Sequence, residues 1–134
     1  MSNGKWAYKT VGPLSIPNHA EGAICVTIAL DFFSERKMAS VQTTPVYSFN
    51  ANQKNTTKKI EADFAFLWRE SAYGEIADGV AFGEAKTFNK FKKKDFDRMR
   101  VIAKNFPGAI LVFSTLRKNL TSFEIKELKK LANV

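Results

Sequence analysis

The chain has one cysteine, Cys25, and one histidine, His19, in 134 residues. A lone cysteine excludes an intramolecular disulfide framework and any zinc site built on cysteines. A lone histidine excludes a His-rich metal centre. It leaves Ser-His or Cys-His catalysis resting on one residue at an expected helix start. No run of 18 apolar residues occurs, so no membrane-spanning helix is expected. Residues 1–9 lack a long apolar stretch followed by a cleavage site, so no secretory signal is read and a cytoplasmic location is expected. The 7 glycines form neither G-x-G-x-x-G nor the Walker pattern, so no phosphate-binding loop of those types is present. Internal repeats and low-complexity tracts are absent. Acidic residues are few beside basic ones: 13 Asp and Glu against 21 Lys and Arg, a net charge of +8. That balance suits an anionic partner without naming it.

Apolar and aromatic residues are plentiful, at 45% and 13%, with 12 Phe. A chain of this length and composition buries a real core and forms one domain. Residues 1–18 carry Gly4, Gly12, Pro13 and Pro17 and read as an N-terminal arm; residues 19–134 read as the domain. Asn18 and Glu21 have capping-box spacing ahead of an apolar segment expected to be helical to about Arg36. Residues 39–50 are rich in strand formers, and Pro45 makes this an edge or bulged strand. A polar turn covers 51–57. In residues 59–68, Ile60, Ala62, Phe64 and Phe66 alternate with Glu61, Asp63 and Ala65, the period of a strand with two distinct faces. A loop is expected over 69–79 and a strand over 80–88. Phe96, Met99, Ile102, Ala103 and Phe106 mark a helix from about Lys92 to Phe106, stopped by Pro107-Gly108. The run 109–116 fits a central strand covered on both faces. Thr121 and Glu124 form a second capping box before a last helix to about Ala132. The expected order is helix, three strands, helix, strand, helix: a mixed α/β sheet flanked by helices.

Asp63 sits in the second strand. Glu84 and Lys86, two apart in Gly83-Glu84-Ala85-Lys86, share a face of the third. Two carboxylates brought together repel unless a cation lies between them. A hard divalent ion such as Mg²⁺ takes one or two carboxylates and fills its remaining positions with water and phosphate oxygens. The same residues also suit the solvated face of a half-buried strand.

The order of elements and the pattern Asp63…Glu84-Ala85-Lys86 resemble the PD-(D/E)xK nuclease superfamily, over roughly residues 19–116. The resemblance implies a restriction-endonuclease-like αβββαβ core and a Mg²⁺- or Mn²⁺-dependent endonuclease that hydrolyses DNA. Asp63, Glu84 and Lys86 would be catalytic, with Asp63, Glu84, the Ala85 carbonyl and Glu21 at the metal. Glu35, at the far end of the first helix, is a poorer match than Glu21. Glu21 has a competing use as the capping residue, and one carboxylate does not serve both well. The proline that often precedes the Asp in the family is replaced by Ala62.

Lys90, Lys92, Lys93, Lys94, Arg98 and Lys104 follow the pattern closely. They suit phosphate contacts along a nucleic acid, or simply a solvated helix face. Trp6, Tyr8, Tyr47 and Trp68 suit core packing more than base stacking, and Cys25 a buried apolar position. A unit this small has little surface for reading sequence, so a homodimer, a partner domain or a structural feature of DNA would supply specificity. A nucleic-acid-binding module without hydrolysis is the alternative, and a protein-interaction domain the third reading.

Overall fold

The computed structural model describes residues 23–35, 41–52, 59–72 and 75–132. The arm over 1–18, His19, Glu21 and the Asn18 cap lie outside these residues. The described elements are α1 (Ala23–Glu35), β1 (Val41–Asn52), β2 (Lys59–Ala72), β3 (Glu75–Lys86), α2 (Lys93–Asn105), β4 (Ile110–Thr115) and α3 (Ser122–Leu131). This is the expected order. Among the described residues no helix is long and apolar enough to cross a membrane.

The four strands lie in the order β1-β2-β3-β4. β1, β2 and β3 pair antiparallel, and β4 returns parallel to β3 through α2. Among the described residues Pro45 therefore sits on the outermost strand, where a missing N–H costs least. One expectation fails. The loop over 69–79 is instead paired strand, with Ala72 opposite Glu75, so β2 and β3 form one long hairpin. Gly79 permits this, because a Cβ there would lie 2.8 Å from the Trp68 ring that covers it. Among the described residues β4 pairs with β3. Its apolar run is explained by cover on both faces. Phe113 stacks on Phe96 of α2, while Ser114 Oγ lies 3.2 Å from Cys25 Sγ of α1.

Each sheet face carries its own core. On one, Phe96, Met99 and Ile102 of α2 and Leu131 of α3 bury Ile60, Ala62, Ala65 and Phe82. On the other, Cys25, Val26, Ala29 and Leu30 of α1 bury Phe64, Phe66, Ala81 and Ala85. The simple alternation expected for β2 thus changes phase at Asp63: Ile60 and Ala62 face α2, whereas Phe64 and Phe66 face α1. The β1–β2 ladder is interrupted at the same point. Tyr47 pairs with Phe64 and Phe49 with Ala62, while Ser48 between them has φ 55° and leaves the ladder. A non-glycine residue in that region marks a real local departure from strand geometry.

α3 opens as expected. Glu124 N–H donates to Thr121 Oγ1 at 3.3 Å, and Thr121 N–H donates to Glu124 Oε2 at 2.6 Å. Trp68 packs beside the α1 core, and Cys25 is a buried free thiol.

Candidate active site at the divergence of two strands

β2 and β3 stop pairing after Phe64–Gly83. Gly83 makes that last pair possible, since a Cβ on it would meet Phe64 Cζ at 2.0 Å. Where the strands part, the Ala85 N–H has no β2 carbonyl in register. It donates to Asp63 Oδ2 at 2.7 Å instead. The phase change in β2 and the end of the ladder therefore aim Asp63 at the Glu84-Ala85-Lys86 segment.

Glu84 and Lys86 project from β3 toward α2. Glu84 is completely buried. Arg98 Nη2 donates to both Glu84 oxygens at 2.6 Å, and Lys86 Nζ donates to Oε1 at 2.7 Å. Asp95, also fully buried, caps α2 by accepting from Lys92 N–H at 2.7 Å. Its other oxygen lies 3.3 Å from Arg98 Nη2 and 3.7 Å from Lys86 Nζ. Glu61 Oε2 is 3.9 Å from Arg98 Nη1. Asp95 and Arg98 stand three apart on one helix, a spacing that puts both on the face toward β3.

Burial pushes the Glu84 carboxyl above its ordinary value. The Lys86 hydrogen bond opposes this, the Asp63 charge adds to it, and the upward causes win. For Lys86, burial pulls the pKa down, but the hydrogen bond and charge of Glu84, with Asp95 and Asp63, more than reverse it. Lys86 is held protonated, as a cation rather than a base.

Among the described residues Asp63, Glu84, Asp95 and Glu61 face two cations, Lys86 and Arg98. Four formal negative charges against two positive leave an excess of two, the charge of one divalent ion. The donors are carboxylates, with no thiolate or imidazole among them, which matches hard-cation chemistry. Among the described residues no group of three or more His, Cys, Asp or Glu side chains converges as a ready-made metal cage. A Mg²⁺ site does not require one, because it keeps several waters and uses one or two carboxylates.

The structure brings together Asp63, Glu84, Ala85 and Lys86 and adds Asp95, which sequence reasoning passed over. Its signal was present: an acid three residues after Lys92, where a helix start wants one. Glu21 lies outside the described residues, and of the Glu35 side chain nothing is described. Lys90, Lys92, Lys93 and Lys94 are exposed, around the start of α2. Arg98 does not join that outward basic face but turns in to Glu84. Lys104 lies near the other end of α2, beside Phe106 and Leu131. At 1.5 Å per residue it is roughly 16 Å along the axis from Lys93.

No family model matches the chain, and no curated protein or solved structure matches it.

Proposed function

We propose that the chain is a metal-dependent nuclease of the restriction-endonuclease-like type, hydrolysing phosphodiester bonds in DNA. The observation that supports this reading is the juxtaposition at the strand divergence. Asp63 is tied to Ala85 N–H, with buried Glu84 and protonated Lys86 on either side in the chain. Mg²⁺ or Mn²⁺ held by Asp63, Glu84 and the Ala85 carbonyl would polarise the phosphoryl group and acidify an attacking water.

The chain's own residues supply the rest. The Ala85 N–H fixes Asp63 through one carboxylate oxygen, leaving Oδ1 without a protein partner among the described residues. Lys86, as an ammonium group, orients the attacking water and neutralises negative charge on the phosphoryl oxygens. Lys90, Lys92, Lys93 and Lys94 hold the flanking phosphates at the mouth of the site, an interaction that weakens steeply with salt. With the attacking water adding to phosphorus as the 3′ oxygen leaves, the products are a 5′-phosphate and a 3′-hydroxyl.

One observation favours binding without hydrolysis instead: Arg98 already occupies both Glu84 oxygens. The test is cleavage of supercoiled plasmid and labelled single-stranded DNA with Mg²⁺ or Mn²⁺, with EDTA, and with Asp63→Ala prepared in parallel. Metal-dependent cleavage lost in the variant supports the nuclease. Salt-sensitive retention of DNA without cleavage supports the binding module, and cleavage surviving the substitution refutes the site.

A further inference from the structure

We propose that Arg98 is a positioning residue that stands in for the metal ion at Glu84, and that the ion takes its place and frees the guanidinium for a substrate phosphate. The inference rests on the nuclease reading for its second half and on geometry for its first.

A single nitrogen of Arg98, Nη2, serves three acceptors: Glu84 Oε1, Glu84 Oε2 and Asp95 Oδ1, at 2.6, 2.6 and 3.3 Å. This is not the parallel fork by which arginine best grips a carboxylate, with two N–H groups each meeting one oxygen. Nη1 reaches only Glu61, at 3.9 Å, and Nε is buried without a partner among the described residues. A buried donor left unpaired is costly, so the pose is one the guanidinium holds under electrostatic compulsion. What compels it is Glu84, wholly buried with Asp63 and Asp95 nearby. The positive charge sits against both Glu84 oxygens, so any cation that Glu84 is to hold must compete with it.

The exchange lowers the surplus charge: with Arg98 in place the cluster carries two excess negative charges, and with a divalent ion in its stead one. The doubly charged ion competes for Glu84 and loosens the hold on Arg98. The side chain is 29% exposed and lies one turn from Lys94, so release leads it toward the exposed lysines at the start of α2. A freed guanidinium offers phosphate the two-pronged contact it lacks at Glu84.

The test is Mn²⁺ binding by calorimetry on the full chain without DNA, for wild type, Arg98→Gln and Arg98→Lys, followed by cleavage kinetics. If Arg98 competes for the cation's place, Arg98→Gln binds Mn²⁺ about tenfold more tightly, whereas loss of a mere orienting partner weakens metal binding by a similar factor. Arg98→Gln also raises KM for DNA several-fold, and Arg98→Lys restores part of it. Equal or weaker Mn²⁺ binding by Arg98→Gln overturns the proposal, whatever the wild type cleaves. Tighter binding with no cleavage by the wild type upholds the stand-in role and refutes the nuclease. A wild type that binds no Mn²⁺ at millimolar concentration refutes both. Should Arg98→Gln fail to fold, Arg98→Lys decides: a single ammonium group competes less well, so its Mn²⁺ binding tightens, and unchanged binding overturns the proposal.

Discussion

Glu84 and Glu124 are both fully buried glutamates, and each is paired with an arginine, Arg98 or Arg117. Their carboxyl groups nevertheless move in opposite directions. At Glu124 burial raises the pKa, but Arg117, the Thr121 backbone and hydroxyl and the Phe91 N–H outweigh it and bring it to about 2. At Glu84 burial and Asp63 prevail and the pKa rises. The difference lies in the neighbours. Glu124 gathers donors from the β3–α2 loop, the β4–α3 loop and the start of α3, fastening all three together. Glu84 shares its donors with other acids. A buried carboxylate saturated by donors is a structural fastening; one crowded by like charges is poised for a cation.

The largest expected contrast is in cleavage. Glu84→Gln should reduce metal-dependent cleavage about a thousandfold or more, equivalent to ~4 kcal/mol of barrier, while Glu124→Gln leaves turnover per folded molecule within a few-fold. Single-turnover rates on plasmid measure both, and equal losses would erase the distinction.

Stability should show the reverse. Glu124→Gln removes the charge from several donors and leaves Arg117 poorly paired, costing about 2–4 kcal/mol at pH 7 in urea unfolding. Glu84→Gln should cost less there, because burial and Asp63 disfavour that charge and offset the poorer pairing of Arg98 and Lys86. The signs extend to pH. With its folded pKa lowered, Glu124 contributes stability above its unfolded value near 4.5, and this is lost as pH falls toward about 2. The gap between wild type and Glu124→Gln should therefore close over that window. Glu84, with a raised pKa, contributes in its protonated form, fully below its unfolded pKa, and loses that contribution as pH rises through the folded value.

Gly83→Ala tests the scaffold beneath the Glu84 side of the comparison. Its Cβ would collide with the Phe64 ring, so a loss of about 1–3 kcal/mol is expected. Cleavage should fall with it, because the last β2–β3 pair sets the position of Asp63. An alanine variant with full stability and activity would show that the close packing of Phe64 on Gly83 is dispensable.

The smallest effects belong to the exposed lysines. Replacing Lys92, Lys93 and Lys94 with glutamine should lower the salt slope of DNA binding by roughly 0.9 for each phosphate no longer neutralised. Lys104→Gln, at the far end of α2, should leave the slope unchanged. Fluorescence anisotropy across a salt series distinguishes the two ends.

Local rules were enough for much of this. The α2 stripe of Phe96, Met99 and Ile102 and the Thr121–Glu124 box follow from periodicity and capping chemistry. Those properties act within a few residues and are legible in sequence. The expected mixed sheet followed from their order. The length of the β2–β3 hairpin was obscured because Gly74 and Gly79 read as loop residues, and the charged Arg69, Glu70 and Asp78 did not contradict them. On strands those charged residues simply face outward, and Arg69 pairs with Asp78 across the hairpin at 3.1 Å. That β4 returns parallel to β3 depends on which strands pair, a non-local choice with no sequence period. The candidate acids could be named from their spacing, but their difference in character could not. Asp63 is aimed by a phase change opposite Ser48, and Glu84 is set apart from Glu124 by acids brought from β2 and α2. Electrostatic environment is a property of distance in space, so the tertiary structure alone decided which buried glutamate fastens the fold and which faces its excess of charge.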